Sequence, residues 1–316
     1  MSNLSPAAKA QWQIHFCVLL WGFTAVLGKL ISLAALPLVW WRMLIVVVAL
    51  ALLPRTWRGL RTLSPRLWLA YAGIGVLVAL HWLTFYGAIK LANASVGATC
   101  IALATPMTAL MEPWLVRRRF SWRELVLGVA TLPGVALVVG GIPRSMQLGL
   151  AIGVASAVLV ALFGSLNKRL VERADAFAVT ALELGAGTLT LTLVAPLLPW
   201  LFAPLASDVF ALPDMHDALL LLVLAVACTL LPFTLSLLAL RHMSAFAAQL
   251  ATNLEPVYAI LLAALLLGEQ HELTRIFYLG AALILGVVFL HPLLESRGRV
   301  RHAQIVGPAE AKQLVD

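Results

Sequence analysis

Charge is scarce in this chain. Only 11% of its 316 residues are Asp, Glu, Lys or Arg, where a soluble domain has about a quarter. That shortage excludes an ordinary water-soluble domain. Cysteine is scarce as well. Cys17, Cys100 and Cys228 are an odd set, without CxxC spacing and all inside apolar runs. That excludes a disulfide framework and a thiolate metal centre. Polar connections are short, apart from 200–217, so no separate soluble domain fits. Enzyme signatures are missing too. There is no GxSxG and no phosphate-binding P-loop, and His271-Glu272-Leu273-Thr274-Arg275 falls one histidine short of HExxH. No catalytic residue, metal ligand or cofactor is assigned, and ATP-driven work by this chain alone is not expected.

Apolar residues are abundant, at 62%. A membrane-crossing helix needs about 20 mainly apolar residues. The sequence divides into ten such runs, at 13–31, 36–53, 67–89, 95–115, 124–141, 147–166, 177–199, 218–240, 245–267 and 274–293. The expected fold is an all-α integral membrane protein. Ser32-Leu33-Ala34 resembles a signal-peptide cleavage site, but the run before it is long for that role. The first span is therefore expected to be retained.

The runs come in two sets of five. LLWGFTAVLGKL (19–30) answers VALFGSLNKRL (160–170), and IALATPMTAL (101–110) answers ATNLEPVYAI (251–260). Gly128 and Gly134 are spaced as Gly280 and Gly286 are. Five is odd, so the second copy must enter the membrane the other way up. This predicts ten transmembrane helices as two inverted five-helix repeats, 13–141 and 147–293, with a polar tail at 294–316.

The net charge of +8 is a topology signal rather than a nucleic-acid signal. With the N terminus inside, every Lys and Arg except Lys29, Arg42, Lys90, Arg144 and Arg275 falls on the cytoplasmic side. Both termini are therefore expected in the cytoplasm. The long outer segment 200–217 carries Asp208, Asp214 and Asp217 with no basic residue.

Several marks together resemble the drug/metabolite transporter superfamily, specifically its EamA-type ten-span carriers. They are Trp21-Gly22 with Lys29, Pro37 with Arg42, Ala88-Ile89-Lys90 with its match Ala239-Leu240-Arg241, Pro106 with Pro256, and Leu267-Gly268-Glu269. The resemblance covers about 13–293. It implies a bacterial inner-membrane carrier of a small metabolite, an amino acid or related compound, with export favoured. The chain departs from the pattern at one point. Thirteen residues on from the proline stands Glu269 in the second half but Arg119 in the first.

Ionisable groups inside spans are costly and default to function. Arg42 follows Trp40-Trp41 and suits a carboxylate, or acts as a snorkelling anchor. Glu183, in the span matching that of Arg42, pairs with Arg42 or contacts substrate. Glu255 precedes Pro256, whose missing N–H frees the Thr252 carbonyl. An acid and a free carbonyl together suit a proton, a cation or an ammonium. Glu112-Pro113 repeats that dipeptide nearer the cytoplasmic end and reads as a gate or interface salt bridge. His81, Trp82 and Tyr86 form one helical face able to line a cavity, with His81 a candidate proton relay. Gln249 and Asn253 share a face of the ninth span. Asn167 is a further polar candidate. The assignment is therefore substrate contact for Arg42, His81, Trp82, Tyr86, Glu183, Gln249, Asn253 and Glu255, with Pro106, Glu112 and Pro256 as gate or hinge. Gly149, Gly153 and Ala157 read as a close-packing face.

These features predict a secondary carrier working by alternating access, embedded in lipid, open to proton coupling, with no nucleic-acid partner, as monomer or homodimer. The alternatives are a carrier of nucleotide-like metabolites or lipophilic drugs, and a non-transporting membrane enzyme or assembly factor.

Overall fold

A computed structural model describes residues 5–271, 274–284 and 286–287. The expected tail at 294–316 and the last part of the tenth run lie outside these residues. Among the described residues every regular element is helical. The helix starts follow from capping chemistry. Ser5 accepts the Ala8 N–H ahead of α1 (Pro6–Leu30), and Ser64 accepts the Leu67 N–H ahead of α4 (Pro65–Leu91). Each cap is followed by proline, which suits the first helical turn because its absent N–H has no partner to lose there.

Between them, α2 (Ala35–Ala51) turns by 90° into α3 (Pro54–Arg61). The second helix carries Arg55, Arg58, Arg61 and the exposed Trp57, the pattern of a helix lying in the headgroup layer. The chain continues as α5 (Ala94–Ile101), α6 (Ala104–Val116), α7 (Trp122–Val129), α8 (Leu132–Gly140), α9 (Gln147–Leu170) and α10 (Ala176–Val194). The short α11 (Leu198–Leu201) leads to α12 (Met215–Ala225). A π turn over Val226–Leu230 joins α12 to α13 (Leu231–Leu240). Then come α14 (Ala245–Thr252), α15 (Glu255–Leu267) and α16 (Arg275–Ile284).

Among the described residues, seven helical stretches are long and apolar enough to cross a bilayer, and α2 with α3 makes an eighth if taken as one. The expected fifth run is instead two short helices, broken at Ala130 and Thr131. Large apolar side chains cover the outside, with Leu69, Trp114, Trp200 and Leu265 all more than three-quarters exposed. Water does not tolerate so continuous an apolar exterior, whereas lipid does. The chain is a multi-pass membrane protein.

Small residues let the helices approach. Gly149 lies against Ala92 and Gly153 against Cys100 and Ala88, so α9 seats itself on α4 and α5. Gly134 of α8 and Gly280 of α16 face each other so closely that a Cβ on either would strike the other's carbonyl. The three cysteines are buried and free.

Candidate functional site

A cavity of about 120 Å³ opens among α1, α2, α4, α9, α13, α14 and α15. Trp21, Arg42, Trp82, Phe163, Gln249 and Glu255 are among its walls. The lining runs from the level of Arg42 to Leu240 and Ala245 at the arginine-rich helix ends.

Arg42 is the organising group, only 2% exposed. A guanidinium taken out of water costs several kcal/mol unless its N–H groups are satisfied. Nε donates to Thr229 Oγ1 at 2.5 Å, one Nη to the Tyr86 hydroxyl at 2.8 Å and the other to the Cys228 carbonyl at 3.4 Å. Its plane lies 4.0 Å from the centre of the Trp82 ring, a cation–π contact. The Cys228 carbonyl is available for a covalent reason. Pro232 stands four residues on and has no N–H to return to it. Thr229 Oγ1 in turn donates five residues back, to the Leu224 carbonyl at 2.6 Å. The π turn is thus the socket for Arg42. Sequence reasoning missed Thr229 and Cys228, although Pro232 inside an apolar span was the available signal.

Of the residues expected at the site, Arg42, His81, Trp82, Gln249 and Glu255 line the cavity. His81 Nδ1 lies 3.0 Å from the Ser156 carbonyl. The Ser156 hydroxyl lies 2.8 Å from the same nitrogen, so one serine holds the ring through both its carbonyl and its side chain. The Gln249 amide nitrogen has no partner. No hydrogen bond from a described residue reaches the Glu255 carboxylate, which is 6% exposed.

Three expected residues are not in the wall. Tyr86 is buried behind it and acts on Arg42. Glu183 lies behind Asn167, whose amide nitrogen is 3.3 Å from Glu183 Oε2. The expected Glu183–Arg42 ion pair does not form, because Arg42 is turned toward the π turn and Tyr86 and Glu183 toward Asn167. Asn253 follows Gln249 by one helical turn but is not part of the cavity lining. It sits at the break between α14 and α15, fully buried, with both amide atoms unpartnered.

The prolines also behave differently from a kink in a continuous helix. Pro256 stands in the first turn of α15, after the break at Asn253 and Leu254. Pro106 stands in the first turn of α6, after the break at Ala102 and Leu103. Each missing N–H therefore falls where it is not needed.

Two carboxylates hold the opposite ends of these broken spans. Glu269 accepts the backbone N–H groups of Ala94 and Ser95 at 2.9 and 3.0 Å, and the Ser95 hydroxyl at 2.7 Å. Glu112 accepts the N–H groups of Ala245 and Phe246, both at 2.8 Å. Each acid caps the N-terminus of a half-helix in the other half of the chain, where the backbone amides and helix dipole favour a negative charge. Arg118 links Glu112 at 3.0 Å and also pairs with Glu124. Partial burial works against the Arg118 charge, but the two carboxylates outweigh it and hold the guanidinium above the usual arginine range.

The two halves align on their N-caps Asn93 and Ser244 and on their left-handed C-caps, Arg117 at φ 60° and Gly268 at φ 71°. In that register Glu269 stands opposite Arg118 rather than Arg119. The one-residue difference arises because Pro106 and Pro256 occupy different places in the first turn.

The profile of the EamA-like transporter family matches this chain twice, over residues 10–140 and 147–291. The chain belongs to the EamA-like transporter family. This places it in the drug/metabolite transporter superfamily, a group of carriers rather than enzymes. A search of curated proteins returns no significant match. A solved structure titled "Crystal structure of protein" is 17% identical over 90% of this chain and 98% of its own, with a TM-score of 0.64. At that identity the likeness speaks to the fold alone.

Proposed function

We propose that this EamA-family chain is a bacterial inner-membrane secondary carrier for a small metabolite bearing both a carboxylate and an ammonium, an amino acid or close relative, moved outward by alternating access. The observation that carries this reading is an arginine and an acid in the wall of one mainly apolar cavity. Among the described residues, no acid is hydrogen-bonded to Arg42, which is fixed on an aromatic platform, and nothing donates to the Glu255 carboxyl. A zwitterion supplies what each group lacks. Trp82 and the other aromatic walls accept the apolar part of such a solute.

The proposed architecture is ten helices in two inverted repeats of five, at 13–141 and 147–293. The double family match, the facing glycines 134 and 280, and the reciprocal caps by Glu112 and Glu269 support it. The broken spans carrying Pro106 and Pro256 are the moving elements, and Glu112 is a latch between halves. The cavity lining extends toward the arginine-rich ends, which corresponds to a cytoplasm-facing state if both termini lie inside.

Flux into proteoliposomes tests the reading. Amino acids are expected to exchange across the bilayer with wild-type protein, and Glu255→Gln to reduce that exchange at least tenfold while remaining folded. Unchanged kinetics in that variant remove Glu255 from the site. A wild type that moves no member of a broad metabolite panel overturns the carrier assignment.

A further inference from the structure

Behind the cavity wall lies a second buried acid with its own chemistry. Glu183 is fully buried in α10. Its Oε2 accepts from the Asn167 amide, whereas its Oε1 and the Asn167 Oδ1 are both buried and without any partner. The local deficit is of donors: among the described residues nothing donates to either of these two buried acceptor oxygens.

Among the described residues no cation fills the deficit. On α2, Arg42 is committed to Thr229, Tyr86 and Cys228. On α3, Arg55 is paired with Asp175 at 2.7 Å, and Arg58 and Arg61 are exposed. On α4, Tyr71 donates to the Leu170 carbonyl at 2.8 Å, His81 bonds Ser156, Lys90 bonds the Ile31 carbonyl and Arg66 is exposed. On α9, Lys168 donates to the Leu240 carbonyl at 2.6 Å, and Arg169 is exposed. Beyond α9, Arg173 is exposed, and beyond α13, Arg241 donates to the Ala174 carbonyl at 2.8 Å. Thr234 of α13 faces Thr180 and carries no charge.

The helix backbones around Glu183 are closely packed. A Cβ at Gly75 would collide with the Glu183 backbone, and one at Gly187 with Met43. An ionised carboxylate in such a place costs several kcal/mol without a counter-charge. A proton removes both the charge and the missing donor. Asn167 is all that separates Glu183 from the cavity, since it lines the cavity on one side and bonds Glu183 on the other, so water reaches the acid when Asn167 moves aside.

We infer that Glu183 is a proton-binding site one residue behind the substrate cavity, with Asn167 as the step between the two. Glu183 is then not a substrate contact. Its bond to Asn167 ties α10 to α9, so opening that contact to water releases the proton. Use of the site for coupling rests on the transport reading; its proton occupancy does not.

Infrared difference spectra of the purified protein in lipid, titrated from acid to alkaline pH, test the inference without any solute. A carboxylic C=O band lost on alkalinisation is expected to contain a component absent from Glu183→Gln and present in Glu255→Gln. Asn167→Ala is expected to shift that component, because its hydrogen bond is gone. A Glu183→Gln spectrum superimposable on wild type overturns the site. A second measurement needs no variant. Carbodiimide labels neutral carboxyls in apolar surroundings, so mass spectrometry of wild-type protein is expected to find the label on Glu183, falling several-fold at alkaline pH. No label on Glu183, or a label insensitive to pH, overturns it. Failure of the flux experiment with these spectra intact removes the carrier reading alone.

Discussion

Arg42 illustrates how a single residue acquires a role from its surroundings. Its charge and span position were legible, but its orientation was not. The guanidinium is aimed by Tyr86, by Thr229 and by a carbonyl that Pro232 leaves free. Tyr86 is therefore a positioning residue. Tyr86→Phe removes one hydrogen bond to a buried charge, which costs about 1.5–3 kcal/mol. The expected outcome is a lower unfolding temperature in detergent and weaker solute binding in the same variant. Arg42→Lys is the harsher change, because an ammonium has neither the plane that lies on Trp82 nor the fork that reaches both helices. It is expected to abolish binding in a thermal-shift assay with amino acids. Glu183 illustrates the opposite case. Its type and span suggested a partner for Arg42, but spacing along two helices cannot say which way either side chain turns, and Asn167 received the bond instead.

At the scale of elements, helix starts are set by local capping chemistry, as Ser5-Pro6, Ser64-Pro65 and Ser244 demonstrate, whereas the apolar runs placed the first start at 13 instead of Pro6. The breaks were hinted at but misplaced. Pro106 and Pro256 announced irregularity, yet the irregular residues lie ahead of them, since proline is accommodated in a first turn and the chain breaks before it. The caps between halves were legible only as an interface role for Glu112, not as caps. Glu269 stood out only as an acid at a span end, and its partners Ala94 and Ser95 are remote in sequence. Glu269→Gln leaves the α5 N-terminus with a weaker, neutral acceptor. The expected loss is about 1–2 kcal/mol, the scale of losing a helix cap. Glu112→Gln is expected to lose at least as much, because Arg118 also loses a partner. Denaturation of the two variants in matched detergent measures both. Equal stability to wild type in both variants means the caps are incidental to holding the halves together.

For the whole molecule, the distribution of lysine and arginine makes an orientation prediction. A cysteine placed at Arg58 on α3 is expected to react with an impermeant thiol reagent only after permeabilisation, and one at Asp208 in intact cells. The reverse pattern inverts the topology. The sequence by itself determined the solvent and the family. So few charges among so many apolar residues cannot fold in water, and the doubled motifs survive in linear order. It also marked Arg42, His81, Trp82, Gln249 and Glu255, since a polar group in a span is conspicuous wherever it points. Only the tertiary structure decided which of these share a cavity, that Glu183 and Asn253 lie outside it, and that the acids capping α5 and α14 come from the opposite halves. The reason is physical. Apolar character and doubled motifs are carried by the linear chain and its solvent, whereas a cavity, or a cap supplied from a remote helix, is made by side chains from many helices whose rotation about their axes is set by packing.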